Sequence, residues 1–336
     1  MWKIKNDINE MYLRKFEAEV TIPVFNMIRD ITTEIRTGRI KLPLKSKEIW
    51  KNTSIFTEAS EKQKRLFTHI MQRTISGRKL EDIIYIIVTN CTLDYVEDMY
   101  QTYLEQNAKI KNGNYDVDYK IVDEFYRLIF IDFYYSNFFT DDIIWSTISG
   151  DNYNRSSFHR NFRTDNKLAV CPYCDIDTTR SISNNNIEHF LPKSKYPFLA
   201  MNPLNLISSC IACNKAHEGK GEKVSDPPII TPYNEMIGEF AEFDIDFEAE
   251  QITLRNKGGQ AHHNYFNLLK LYTRYSDSFI FECVDGAAHS LFETLSNYQA
   301  PSKEAIEAYI KRREKREGLS FALKSAISKY PHYQSY

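Results

Sequence analysis

Glu188 and His189 are adjacent and bring together two reactive groups of complementary kind. A carboxylate offers hard oxygen to a divalent cation. An imidazole can take a proton from water near neutral pH. Asn205 follows His189 by sixteen residues, and Asn214 follows Asn205 by nine. The amide carbonyl of Asn214 is a second oxygen donor. These are the groups of a one-metal phosphodiesterase. Taken singly they are ordinary: a surface carboxylate, a satisfied histidine, a turn residue and a helix cap. Adjacent residues of a strand also face opposite sides. Glu188 and His189 therefore serve one site only where their strand ends or twists, or where one of them acts from the side.

Two CxxC pairs bracket this stretch, Cys171-Pro172-Tyr173-Cys174 and Cys210-Ile211-Ala212-Cys213, with thirty-five residues between them. Two residues between thiolates let one tight turn present both sulfurs to a single ion, and two such turns complete the closed tetrahedral geometry of structural zinc. A closed four-thiolate site leaves no position for substrate. This zinc holds the fold and takes no part in chemistry.

From about 171 to 221 the chain resembles the HNH (ββα-metal) endonuclease family, in the branch that carries a four-cysteine zinc site. The resemblance is carried by CPYC, by IEHFLPKS from Ile187, by NLISSC from Asn205, and by CN followed by K and G. It implies that His189 is the general base that activates water, and that Glu188 and Asn214 hold a catalytic Mg2+ or Mn2+. It implies that Asn205 orients the hairpin loop and, through it, the base. Lys220 and Lys215 would contact phosphate. Where that family often has Asp before the histidine, this chain has Glu188, which leaves metal distance and preference open. His217, read as one turn beyond Asn214 on the same helix face, competes with Asn214 as a ligand, and the hard cation favours the oxygen donor.

Three expected elements carry these groups: a strand ending at His189, a strand from about 205, and a helix beginning near Asn214 with the amide as its N-cap. The chain on either side reads as mainly α. Between Pro43 and Pro172 there is no proline. Phe67, Ile70, Met71 and Ile75, and then Val117, Ile121, Phe125, Leu128, Ile129 and Phe133, recur at helical spacing. Pro23 is expected to kink or split the first helical stretch. Cys91 reads as a buried small hydrophobe. Three regions follow: a helical domain over 1–150, a zinc-stapled ββα module over 151–224, and an α+β region over 225–336. In the last, Phe243, Ile245 and Phe247 alternate with acids to give a β-hairpin near 240–256, followed by helices. Residues 153–170, with Arg155, His159, Arg160, Arg163 and Lys167, read as a solvated linker, with a track for phosphates as the alternative.

The 336 residues are 42% hydrophobic, enough for a packed core, with only 11 Gly and 11 Pro, too few for a turn-dense all-β fold. The net charge of −2 gives no whole-chain support for a nucleic-acid partner. Locally, residues 155–223 hold ten Lys/Arg against six Asp/Glu, while 225–250 are acidic throughout, a distribution that suits a phosphate ligand held at one face. The start of the chain has no apolar core of a signal peptide, and the longest apolar run is far short of the roughly 18 residues of a membrane span, so a cytoplasmic location is expected.

In layout, the helical flanks around a central HNH unit are similar to the HNH nuclease components of bacterial anti-phage systems such as Septu and some retron-linked modules. That likeness implies a defence effector acting on DNA with an SMC/ABC-like ATPase, docked through the 1–150 domain. HNH chemistry attacks with water and needs no 2′-hydroxyl, so RNA stays open as the substrate. A zinc-stapled adaptor with a dead site is the remaining alternative.

Overall fold

The computed structural model describes residues 1–181, 183, 185–297 and 302–329. Among the described residues the chain is mainly helical, with three two-stranded sheets. Among the described residues no helix is long and apolar enough to cross a membrane. The chain divides into two compact units.

The first unit comprises Asn6–Asn161 and Leu191–Leu206. It opens with the helix Asp7–Phe16, a π-helical segment Glu17–Thr21, and the helix Ile22–Arg36. Pro23 lies in the first turn of the last of these, where a missing N–H costs nothing. The disturbance expected at Pro23 is thus taken up by the wider turns just before it. Ser60 and Gln63 form a capping box that starts the helix Glu61–Gln72, whose Leu66, Phe67, Ile70 and Met71 are buried. The break at Ser76-Gly77 is a turn between β1 (Thr74–Ile75) and β2 (Arg78–Lys79), and both turn residues have positive φ, as a type I′ turn requires.

Two stripes were over-read from the sequence: Ile75, read with Phe67, Ile70 and Met71, lies in β1 beyond the end of their helix. Helix resumes after the 112–114 turn only at Glu124, capped by Asp123, so Ile121 lies outside it and is 79% exposed. Cys91 is half-buried and ends the helix Leu80–Asn90, where its carbonyl accepts from Arg36. The core is built on rings: Phe25 lies 5.2 Å from Tyr103 and 5.6 Å from Phe130, and Phe130 lies 4.9 Å from Phe198. The Phe130–Phe198 pair is edge-on, and the two pairs of Phe25 are tilted, arrangements that add to simple area burial.

Phe198 belongs to Leu191–Leu206, and the whole of that segment is fastened into this unit. Asn107 Nδ2 donates to the Phe198 carbonyl at 3.3 Å, Asn202 Nδ2 donates to Asn107 Oδ1 at 2.8 Å, and the Tyr115 hydroxyl donates to the Leu204 carbonyl at 2.7 Å. Arg127 donates to the Ser194 carbonyl. The stretch 151–224 is therefore shared between the two units.

The second unit comprises residues 1–5, 162–190 and 207 onward. It holds β3 (Asn185–His189) paired with β4 (Leu206–Cys210), and the short helix Ile211–Asn214, which packs on β3. β5 (Ala241–Asp246) and β6 (Gln251–Asn256) form the expected antiparallel hairpin, with Phe243 opposite Leu254 and Ile245 opposite Ile252, all four buried. Helices Ser278–Asn297, Lys303–Arg313 and Ser320–Lys329 bury Leu291, Phe292, Ile306, Leu323 and Ile327. The expected region 225–336 is followed to residue 329, and 298–301 and 330–336 lie outside the described residues. Residues 155–166, read as linker, form the helix Arg155–Asn166, with Phe158 and Phe162 buried.

Candidate functional site

The four cysteines come together as expected. Their sulfurs lie within 4.8 Å of one another, all buried. Cys171 and Cys213 are 3.8 Å apart, and Cys174 and Cys210 are 3.9 Å apart. Sulfurs at about 2.3 Å from a tetrahedral zinc would be spaced by about 3.8 Å, whereas a disulfide holds them near 2.05 Å. Backbone N–H groups point at the same sulfurs: Ile176 at Cys174 and Cys210 at Cys171, each at 3.4 Å, and Cys213 at Cys210 at 3.5 Å.

Protonation in this cluster is uneven. Burial opposes a thiolate at Cys174, yet hydrogen bonds from Cys171, Cys210 and Cys213 carry its pKa well below that of an ordinary thiol. Hydrogen bonds with Cys171, Cys174 and Cys213, together with burial, push Cys210 up, and burial pushes Cys213 up. A dication completes such a set, because a coordinating thiol is deprotonated outright. The spacing and the donor chemistry fit zinc.

Side chains from far along the sequence brace the knuckles. Arg274 Nη1 donates to Cys213 Sγ at 3.1 Å, and its Nη2 reaches Asp177 at 3.3 Å. Burial works against the guanidinium charge, but the Cys174 and Cys213 sulfurs hold it protonated. The Tyr265 and Tyr275 hydroxyls donate to the Tyr173 and Cys174 carbonyls at 3.0 and 2.7 Å. Sequence reasoning missed all three, since nothing local distinguishes them from an aromatic helical core. Arg274→Met should weaken zinc retention about 10- to 100-fold, the usual effect of losing an outer partner of a metal ligand. Zinc transfer to a colorimetric chelator reads this directly, and transfer at the wild-type rate would refute it.

Glu188 and His189 are the last two residues of β3. An exposed strand would alternate in burial, but Ile187, Glu188 and His189 are all buried, the last two at 5% and 6% exposure. Both faces of the strand end are covered, so neither side chain is lost to solvent. Asn214 is half-buried and ends the helix Ile211–Asn214, whose N-cap is Cys210, with Cys213 N–H on its sulfur. The helix expected to begin at Asn214 therefore ends there. His217 consequently lies on no shared helix face, and its side chain is 77% exposed and 3.1 Å from Glu218. Lys215 is likewise exposed, 3.5 Å from the same carboxylate.

Lys220 departs furthest from expectation. It is no exposed phosphate contact: its side chain is fully buried, with Nζ 2.7 Å from Glu188 Oε1 and 2.8 Å from the Gly221 carbonyl.

Asn205, fully buried, clamps the loop after β3. Its Oδ1 accepts from Leu191 N at 2.8 Å, and its Nδ2 donates to the Leu191 and Leu199 carbonyls at 3.0 and 3.2 Å. Leu191 is two residues past His189 along the chain. Asn205→Ala would strand these buried backbone groups, each worth about 1–3 kcal/mol. A loss of roughly 3 kcal/mol in urea denaturation is expected, and a change within error of zero would show that the loop stands without the clamp.

No protein-family profile matches the chain, and no solved structure does. Two curated proteins match part of it. The chain is 38% identical over 69 residues to the Septu protein PtuB of Bacillus thuringiensis, a match covering 20% of this chain and 27% of that protein. It is 43% identical over 51 residues to protein ea31 of Escherichia phage lambda, covering 15% of this chain and 16% of that protein. The chain thus spans about a quarter of the one relative and a sixth of the other. What these comparisons establish is partial homology to a Septu protein in a chain that buries a four-cysteine cluster.

Proposed function

We propose that the protein is a metal-dependent HNH-type endonuclease that hydrolyses phosphodiester bonds in DNA and serves anti-phage defence. The supporting observation is the burial of Glu188 and His189 together at the end of β3, against the helix that ends in Asn214, in the unit stapled by the four cysteines. Glu188 already faces a cation, the Lys220 ammonium, so its carboxylate is presented as a metal ligand's would be. Glu188 and Asn214 offer oxygen donors suited to Mg2+ or Mn2+, which when bound would stabilise charge on the phosphate and the leaving 3′ oxygen. His189 takes the proton from the attacking water, and Asn205 holds the loop that follows it. The defence role, and an ATPase partner with it, rest on the partial likeness to the Septu protein PtuB.

Nicking of supercoiled plasmid by purified protein with Mg2+ or Mn2+, with His189→Ala alongside and a single-stranded RNA as competitor, tests the reading. Cutting by wild type alone supports it. Equal cutting by both removes His189 from the chemistry, and preference for the RNA changes the substrate.

A further inference from the structure

We propose that Lys220 is a built-in counter-cation for Glu188. Its ammonium holds the buried carboxylate in place, and a divalent ion held by Glu188 would share that carboxylate with it. The second half rests on the nuclease reading, and the first does not.

The backbone is shaped to deliver this side chain. Lys220 N–H donates to the Cys213 carbonyl at 2.9 Å, which ties the residue to the second knuckle. Gly219 lies so close to that knuckle that a Cβ would fall 2.4 Å from the Cys213 carbonyl oxygen and 2.6 Å from its Cα. Gly221 adopts φ +52°, and a Cβ there would fall 2.6 Å from Ala216 Cα. Only glycine fits on either side, and the close approach turns the lysine inward. Its side chain is 0% exposed and that of Glu188 is 7% exposed. A lysine kept for phosphate would lie in solvent, as Lys215 does. A buried lysine gives up its hydration and most of its rotamer freedom, and persists only where a charge partner meets it at close range.

Such a pair has a distinctive mutational signature. Removing one member strands the other's charge, whereas removing both does not. Lys220→Met should lower the Tm by roughly 10 °C, or prevent folding altogether. Adding Glu188→Gln to the same chain should recover most of that loss. Millimolar Mn2+ should raise the Tm of Lys220→Met more than that of wild type, because the ion replaces the missing charge, and should do nothing for the double variant. A double variant no more stable than Lys220→Met would overturn the proposal, since the lysine would then serve packing alone. So would a Lys220→Met protein that melts with wild type. Recovery in the double variant without any Mn2+ effect would retain the ion pair and overturn the shared carboxylate. Failure of wild type to cut plasmid, with the melting pattern intact, would count against the nuclease reading alone.

Discussion

Cys213→Ser should abolish metal binding by the four-cysteine cluster, which fits zinc, and unfold the region around both knuckles. Cys213 Sγ lies 3.8 Å from Cys171 Sγ and accepts from Arg274, so one substitution removes a ligand and takes an acceptor from the half-buried Arg274 guanidinium. Structural zinc supplies on the order of 10 kcal/mol to small domains, comparable with the whole stability of a typical protein. The helices Ser278–Asn297, Lys303–Arg313 and Ser320–Lys329 keep their own core. Loss is therefore expected first in Cys171–Thr178 and Leu206–Gly221. Zinc stoichiometry by native mass spectrometry and hydrogen exchange over those segments would check this. A variant holding one zinc per chain with wild-type protection would show that the cluster is not the staple.

On the proposed endonuclease reading, His189→Ala should lower the rate of DNA cutting about 100- to 10,000-fold, the usual contribution of a general base. Zinc content should not change, because the histidine is no part of the sulfur cluster. Since His189 is buried, alanine also leaves a gap. His189→Asn, which keeps a polar side chain but no base, separates the two effects. Both variants should be equally slow while melting differently. Rapid cutting by His189→Asn would assign the histidine to positioning.

The sequence was legible wherever a signal is local. Two CxxC pairs draw four sulfurs together because each turn is two residues wide. The alternation from Phe243 to Phe247 marked β5, and β3 ends at His189 as its pattern required. The misses have tertiary causes. Asn214 has the side chain of an N-cap, but Cys210 already caps that helix with its sulfur, so the helix starts one turn early and stops where it was expected to start. His217 and Lys220 were misplaced for the same reason: a helix would have set His217 beside Asn214 and carried Lys220 outward, whereas the chain past Asn214 leaves the histidine in solvent and the glycine-bounded turn takes the lysine inside. Ile121 matched a helical stripe that its backbone never joins. Arg274 lies sixty-one residues beyond the cysteine it touches, out of reach of any motif.

The chain passes from one unit to the other after residues 5, 161, 190 and 206. The helical unit needs Leu191–Leu206 to finish its aromatic core, and the zinc cluster needs Cys213 to close. During synthesis neither requirement is met until well past the middle of the chain, and the β3 strand emerges before its partner β4. Domains ordinarily fold as units as they leave the ribosome, but here each waits for a distant piece of its own sequence. A truncated product ending before residue 206 would carry Glu188 and His189 on β3 but lack its partner strand β4 and the second cysteine pair, so that translation halted midway would leave the four-cysteine cluster open.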